Sequence, residues 1–246
     1  MKAFILAAGY ATRMYPITND VPKGLLDVGG APILTHIVSR VGELENVTEV
    51  VVVTNARFAQ QFETWKATEQ PSVRVTILND GTTTNENRLG AIGDLAFALE
   101  HVPLRGEDAV VVAGDNLFDF DLRPVQREFL RRRKTTLIVR HVKDHGVPSR
   151  YNDVKVEPDG RISQFREKPA QPETDFTAIA LYFFPPYPLE LLGEYLKDGN
   201  PDAPGHFIAW LVERVPCYAE YLPGRWYDVG SVKNLEDARA RFGRDG

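Results

Sequence analysis

Two cations near the start of the chain, Arg13 and Lys23, stand just beyond a cluster of small residues, Ala7, Ala8, Gly9 and Ala11. A backbone stripped of large side chains lets a phosphate come close, and its N–H groups can point at the anion. Arg presents a rigid fork to phosphate oxygens, and Lys a movable point charge. Further along, Asp115 closes the apolar run Ala109-Val110-Val111-Val112-Ala113, Glu167 and Lys168 precede Pro169, and Asp228 lies in Trp226-Tyr227-Asp228-Val229-Gly230. Mg²⁺ prefers one or two carboxylates together with substrate phosphates. These residue types suit charge management on a phosphate-rich substrate.

The elements that must position them follow from pattern. Ala3 to Leu6 is a short apolar run and reads as a buried strand. Pro16 and Pro22 prevent a long helix between the two cations. The stretch therefore reads as strand, phosphate-cradling loop, cationic turn. Two glycine motifs are excluded. A dinucleotide fingerprint needs further glycines where Ala11 and Met14 stand, and a Walker A loop needs Gly-Lys-Ser/Thr where the order is Lys23-Gly24-Leu25. The small residues alone fit equally well a turn that packs a strand on a helix.

Helical spacing runs from Pro32 to Leu44, a β-branched strand from Glu49 to Thr54, a helix from Phe58 to Lys66 and a strand from Val73 to Leu78. Such alternation implies a parallel sheet with right-handed crossovers. Asn79 to Asn87 is polar and turn-rich, and it follows a strand end, where open α/β sheets place ligands. A helix is predicted from about Leu89 to His101. Asp115 ends the clearest buried strand and is a candidate metal ligand or a turn cap. A helix is read over Leu122 to Arg133, whose Arg131-Arg132-Arg133-Lys134 end is a solvated charge run. Thr135 to Val142 is a strand, Asp144 to Arg150 a loop, and Pro158-Asp159-Gly160 turns a hairpin between Asp153–Val156 and Arg161–Phe165. Tyr187 to Lys197 and His206 to Val215 read as amphipathic helices, Cys217 to Leu222 as a strand, and Val232 to Phe242 as a helix with Ser231 as its N-cap. Asp228 is placed to help cap that helix. None of the five histidines has metal-ligand or triad spacing.

Composition narrows the classes. With 246 residues and 43% hydrophobic content, the chain suits one large α/β domain with a small lobe. A net charge of −5 argues against a nucleic-acid binder. No run of eighteen apolar residues exists, so no membrane span is expected. The single Cys217 excludes an intrachain disulfide and fits a reducing cytoplasm, where we expect the protein to reside. Flanked by Pro216 in an apolar run, it is expected to be buried and inert.

Leu6-Ala7-Ala8-Gly9-x-x-Thr12-Arg13-x-x-Pro16-x-Thr18, followed by Pro22-Lys23-x-Leu25-Leu26-x-Val28, resembles the signature of the sugar-1-phosphate nucleotidyltransferases, the nucleoside-diphosphate-sugar pyrophosphorylases. Gly114-Asp115-Asn116, Glu167-Lys168-Pro169 and Trp226-x-Asp228-x-Gly230 extend the likeness over nearly the whole chain, most closely to glucose-1-phosphate thymidylyl- and uridylyltransferases. The resemblance implies a Rossmann-like, mostly parallel mixed sheet flanked by helices, with a small β-hairpin lobe for the sugar. It implies a single domain over 1–246, with a nucleotide part at about 1–120, a sugar-phosphate part at about 121–230 and a C-terminal helix at 231–243. The chain closes soon after that helix, so no acyltransferase or repeat domain is expected beyond it.

By the same resemblance, Leu6, Ala7, Ala8, Gly9, Asn85 and Gly90 bind the nucleotide, and Arg13 and Lys23 are catalytic. Asp115 and Asp228 hold Mg²⁺, and Glu167, Lys168 and Asn152 meet the sugar phosphate. The implied reaction joins a sugar 1-phosphate to the α-phosphorus of a nucleoside triphosphate, dTTP or UTP with glucose 1-phosphate being favoured. Four places depart from the family pattern: Ala11 and Ala180 replace glycines, Tyr151-Asn152-Asp153 lacks one, and Asp94 stands where a small or neutral residue is usual. The departures around the sugar pocket leave room for a cytidylyltransferase acting on phosphocholine or another alcohol phosphate. A non-catalytic nucleotide-binding regulator is the second alternative. The oligomeric state is left open, a homo-oligomer included.

Overall fold

The computed structural model describes residues 1–141 and 151–242. Its strands are β1 (Lys2–Leu6), β2 (Asp27–Val28), β3 (Ala31–Pro32), β4 (Glu49–Thr54), β5 (Val75–Asn79), β6 (Ala109–Ala113), β7 (Asn116–Phe118), β8 (Thr135–His141), β9 (Asp153–Val156), β10 (Ile162–Arg166), β11 (Phe176–Phe184), β12 (Cys217–Tyr221) and β13 (Trp226–Asp228). Its helices are α1 (Ile33–Gly42), α2 (Ala59–Glu69), α3 (Ala91–His101), α4 (Arg123–Arg132), α5 (Pro186–Glu190), α6 (Leu192–Tyr195), α7 (Pro204–Val212) and α8 (Val232–Arg241).

Seven strands form one sheet in the order β12-β8-β11-β6-β1-β4-β5. Pairing is parallel at β6-β1-β4-β5 and at β12-β8, while β11 runs antiparallel to both of its neighbours. The expected α/β class with a mostly parallel mixed sheet is thus observed. Strand alternation sends Ala3 and Ile5 to one face and Phe4 and Leu6 to the other, and both faces are buried. One apolar layer takes in residues of α1, α2, α4 and α8. The other takes in α3, α5 to α7 and the hairpin β9–β10. Covering both faces is what continuous apolar strands such as Val50-Val51-Val52-Val53 require.

Several sequence readings shift. The stretch from Tyr187 to Lys197 is not one helix but two short ones, α5 and α6, broken near Leu191. The helix read from Leu89 starts at Ala91, because Gly90 takes φ +79. Strand β11, nine residues long, is unassigned in the sequence reading although Phe176 to Phe184 is an apolar run stopped by Pro185. The loop read over Asp144 to Arg150, Val142 and position 243 of the C-terminal helix lie outside the described residues.

Candidate active site

The parallel strands β1 and β6 lie side by side and end together, in register Leu6 to Ala113. Their C-terminal edge is the crevice where an open α/β sheet takes its ligand. After Leu6 the chain leaves the sheet. The Ala7 N–H is still spent on the Val53 carbonyl at 2.9 Å. Among the described residues, the N–H groups of Ala8, Gly9, Tyr10 and Ala11 donate to no protein acceptor. Four successive unspent donors make an anion cradle. Ala8 to Ala11 are thus the part of the expected loop whose donors face no protein acceptor, while Leu6 and Ala7 anchor it to the sheet. Asn55 fixes the cradle from β4, its side-chain nitrogen donating to the Ala8 carbonyl at 2.8 Å. The buried Thr18 hydroxyl donates to the Ala11 carbonyl at 2.9 Å. Thr18 enters the sequence reading only as part of the signature and Asn55 not at all; the signal for Asn55 is the polar pair Thr54-Asn55 directly after the Val50-to-Val53 run.

Close approach explains Gly114. A Cβ there would lie 2.9 Å from Ala7 Cβ and 3.0 Å from the Leu6 carbonyl oxygen. Its absence lets β6 turn tightly against β1 and deliver Asp115 to the cradle. Strand β13 pairs antiparallel with β7, setting Asp228 opposite Asn116. The Val229 N–H donates to the Asp115 carbonyl at 3.1 Å, and Asn234 of α8 donates to the Asp228 carbonyl at 2.6 Å. Beneath, the buried Trp226 donates from Nε1 to Asn116 Oδ1 at 2.5 Å. Trp226 thus packs under the site, and Asn116, which the sequence reading gave no role, ties β13 to the start of β7. Ser231 caps α8, accepting from Asn234 N at 3.2 Å.

The charges converge here. Lys23 Nζ sits 2.6 Å from Asp115 Oδ2. The Asp228 carboxyl is pushed up to about 6, first by burial and then by the negative charge of Asp115; Lys23, Lys168 and Arg13 pull it the other way. Five of the residues singled out by sequence, drawn from four separate stretches of chain, therefore act on one another at one place. No hydrogen bond from a described residue reaches the Asp228 carboxylate. Two facing carboxylates, one without a protein donor, are a donor set that suits a hard divalent cation sharing its remaining positions with phosphate oxygens. Among the described residues no group of three His, Cys, Asp or Glu forms a closed cage, so the fit is to a cation held jointly with substrate.

The remaining candidates divide. Glu167 has a side chain only 8% exposed, packed against α7: a Cβ on Gly205 would stand 1.8 Å from its Oε2. Lys168 is 56% exposed, its Nζ 3.4 Å from Glu167 Oε1, with a left-handed backbone at φ +46. Asn85 begins a 3-10 turn over Asn85–Asn87, and its side chain makes no hydrogen bond to a described residue. Gly90 is required: a Cβ would lie 2.6 Å from the Pro201 carbonyl oxygen. Asn152 is differently engaged than expected. Its Nδ2 donates to the Ala178 carbonyl at 2.9 Å, and its Oδ1 accepts from Ala178 N at 2.7 Å and Thr177 Oγ1 at 3.0 Å. The amide is consumed in clamping β11. Asp153 is also structural, bonded to Arg166, to Thr174 and to Glu173 N. Cys217 is fully buried, and burial pushes its thiol up to about 12.

The nucleotidyl transferase family model matches residues 2–244. The chain belongs to this family. It is 29% identical over 250 residues to the UTP–glucose-1-phosphate uridylyltransferase of Synechocystis sp., covering 97% of this chain and 62% of that protein. It is 29% identical to the mannose-1-phosphate guanyltransferase beta-A of Xenopus laevis, covering 96% of this chain and 62% of that protein. It is 31% identical over 189 residues to the uridylyltransferase AglF of Haloferax volcanii, covering 76% of this chain and 72% of that protein. The chain spans about three-fifths of the length of the first two. Its fold matches a Bacillus anthracis chain assigned as a glucose-1-phosphate thymidylyltransferase and solved with sucrose, at a TM-score of 0.84 and 24% identity over 100% of this chain and 96% of that one. A UDP-glucose pyrophosphorylase solved with UDP-glucose gives 0.81 and 19% over 97% of each chain. The nucleotide-diphospho-sugar transferase fold follows. Among the described residues, no helix of this family member is long and apolar enough to cross a membrane.

Proposed function

We propose that this chain transfers a nucleotidyl group from a nucleoside triphosphate to a sugar 1-phosphate, giving a nucleoside-diphosphate sugar and pyrophosphate. The observation that carries the reading is the convergence of Arg13, Lys23 and Lys168 on the Asp115–Asp228 pair, beside the unspent N–H groups of Ala8 to Ala11. The named activities of the relatives, all on sugar 1-phosphates, support it. We take residues 1–120 as the nucleotide part and 121–230 as the sugar-phosphate part, followed by α8.

The incoming phosphate is already anionic, so no protein base is needed. The obstacle is anion meeting anion: each unit pair at 4 Å repels by about 4 kcal/mol at an effective dielectric of 20. Catalysis is then neutralisation and in-line positioning. Ala8 to Ala11 hold the triphosphate through backbone donors. Arg13 and Lys23 offset charge on the triphosphate and on the leaving pyrophosphate. Lys168 draws in the sugar phosphate, and Glu167, held rigid by α7, accepts from a sugar hydroxyl. Asn85 and the Gly90 backbone read the base edge. Asp115 and Asp228 would hold Mg²⁺, which supplies Lewis-acid stabilisation of the phosphate oxygens. Asn152 and Asp153 shape the sugar lobe from behind through their bonds to β11 and the 173–174 turn, which removes the reason to read an altered pocket from their side chains.

Pyrophosphate release, with Mg²⁺ present, across dTTP, UTP, CTP, GTP and ATP against glucose, mannose, galactose and N-acetylglucosamine 1-phosphates plus phosphocholine tests the reading. We expect release with a sugar phosphate, dTTP or UTP with glucose 1-phosphate first. Release only with CTP and phosphocholine would replace the acceptor. Triphosphate binding without release in any combination would overturn the transferase reading in favour of a nucleotide-binding regulator.

A further inference from the structure

Behind the base-reading segment, two carboxyl groups meet that the proposed reaction does not use. Asp80 follows β5, and its Oδ1 accepts from Thr82 N at 2.7 Å and Thr82 Oγ1 at 2.8 Å. Its Oδ2 is buried without a partner. Asp94 lies in the first turn of α3, 5% exposed, and its Oδ1 is likewise buried without a partner. Two anionic carboxylates offer each other only acceptors, and a buried acceptor left unmade is costly. One proton between the two residues supplies the missing donor and removes one of two like charges, as in other close carboxyl pairs.

The pair is wired to the nucleotide cradle. The Thr82 hydroxyl meets the buried Tyr10 hydroxyl at 3.2 Å, and the Thr82 carbonyl accepts from Ala56 N at 2.9 Å. Tyr10 is one of the four cradle residues. A single chain of contacts therefore runs from α3 through Asp94, Asp80 and Thr82 to the phosphate loop, with the turn over Asn85–Asn87 strung between its ends. We propose that a proton shared by Asp94 and Asp80 locks the base-reading segment onto α3 and the cradle, making the two aspartates positioning residues for the nucleotide. The assignment rests on the nucleotidyltransferase reading for its substrate, but the shared proton itself does not.

The electrostatics agree. The Asp94 carboxyl is pushed up to about 8, first by burial, then by the charge of Asp80 and by the hydrogen bond to Asp80. Tyr10 of the cradle feels the charges of both aspartates and of Arg57 from the turn before α2, and burial raises its hydroxyl first of all. The folded protein keeps the Asp94 proton at a pH where the unfolded chain has lost it. The group's stabilisation is thus full below the ordinary aspartate range near 3.9 and is lost as pH rises toward 8.

The test compares wild type, Asp94→Asn and Asp94→Ala between pH 5 and 9 in two ways. The first is the melting temperature. Asn donates to Asp80 without a titrating proton, so the melting temperature of wild type should fall relative to Asp94→Asn as pH rises from 5 to 8. The second is steady-state kinetics. The KM for the triphosphate in wild type should rise several-fold from pH 7 to 9 with kcat changing less. It should stay flat and low in Asp94→Asn, and be high at both values in Asp94→Ala. Parallel melting profiles for wild type and Asp94→Asn would overturn the shared proton. Diverging melting profiles with an unchanged KM would overturn the positioning role. Absence of turnover by wild type with every substrate pair would instead defeat the transferase reading, and the melting comparison would still decide the proton.

Discussion

Asp228 has a carboxylate with no protein donor, beside an Asp115 that already holds Lys23. Such a group is there to meet something that arrives. Losing one well-aimed transition-state contact costs about 2.7–4 kcal/mol, a factor of roughly a hundred to a thousand in rate. We predict that Arg13→Ala and Asp228→Asn each lower kcat by at least that factor while the purified proteins melt cooperatively; turnover like wild type in either would remove that residue from the mechanism. A second residue-scale prediction concerns Ala11, which sits at φ +49, ψ 37. A non-glycine residue in the left-handed region costs roughly 1–2 kcal/mol, partly offset by glycine's greater freedom in the unfolded chain, about 0.5–1 kcal/mol. Ala11→Gly should therefore stabilise the fold by about 0.5–1 kcal/mol in urea melts. A loss of stability would mean the alanine methyl makes a contact worth more than the strain.

At the scale of elements, the β7–β13 ladder brings Asp228 within the field of Asp115: it pairs Asp228 with Asn116, and the next residue, Val229, bonds the Asp115 carbonyl. Replacing Trp226 by Phe keeps the ring but strands Asn116 Oδ1, which its Nε1 now satisfies. A buried unsatisfied acceptor costs about 1–3 kcal/mol, and urea melts of Trp226→Phe should show a loss of that size. Helix α7 positions Glu167 in the same way. Gly205→Ala would drive a methyl into the Glu167 carboxylate, and we expect the KM for the sugar phosphate to rise with the KM for the triphosphate unchanged. Equal KM values in the variant would show that Glu167 does not touch the sugar. The hairpin lobe depends on Asp153. Burial pushes its carboxyl up, but bonds from Thr174, Arg166 and the backbone of 173 and 174 outweigh this and hold it below the usual range. Its contribution is present above the ordinary aspartate value and is lost as pH falls through the lowered one. The stability gap between wild type and Asp153→Asn should be wide at pH 7 and narrow in acid.

Across the whole molecule, what was legible in the sequence was whatever periodicity or close packing writes locally. The apolar runs gave β1, β4 and β6, and the small-residue loop with its two cations gave the cradle. Strand β11 escaped because its role, an antiparallel member between parallel neighbours, is set by partners far away in the chain. Asn152 looked like a substrate contact because its position resembled a pocket, and only the partners of its amide reveal a clamp on β11. Asp94 had no local meaning, since the residue that explains it, Asp80, lies on a different element. Side-chain partnerships across elements carry no sequence spacing, and they account for most of what the sequence withheld.

The central claim is that the charged cluster at the ends of β1 and β6 drives displacement at the α-phosphorus. Incubating the protein with Mg²⁺, a sugar 1-phosphate and a triphosphate labelled either at its α- or its γ-phosphorus tests it most directly. The account predicts that the α label appears in a nucleoside-diphosphate sugar and the γ label in pyrophosphate, with both products abolished by Asp228→Asn. Transfer of the γ label to the sugar, or release of labelled inorganic phosphate in place of pyrophosphate, would contradict it.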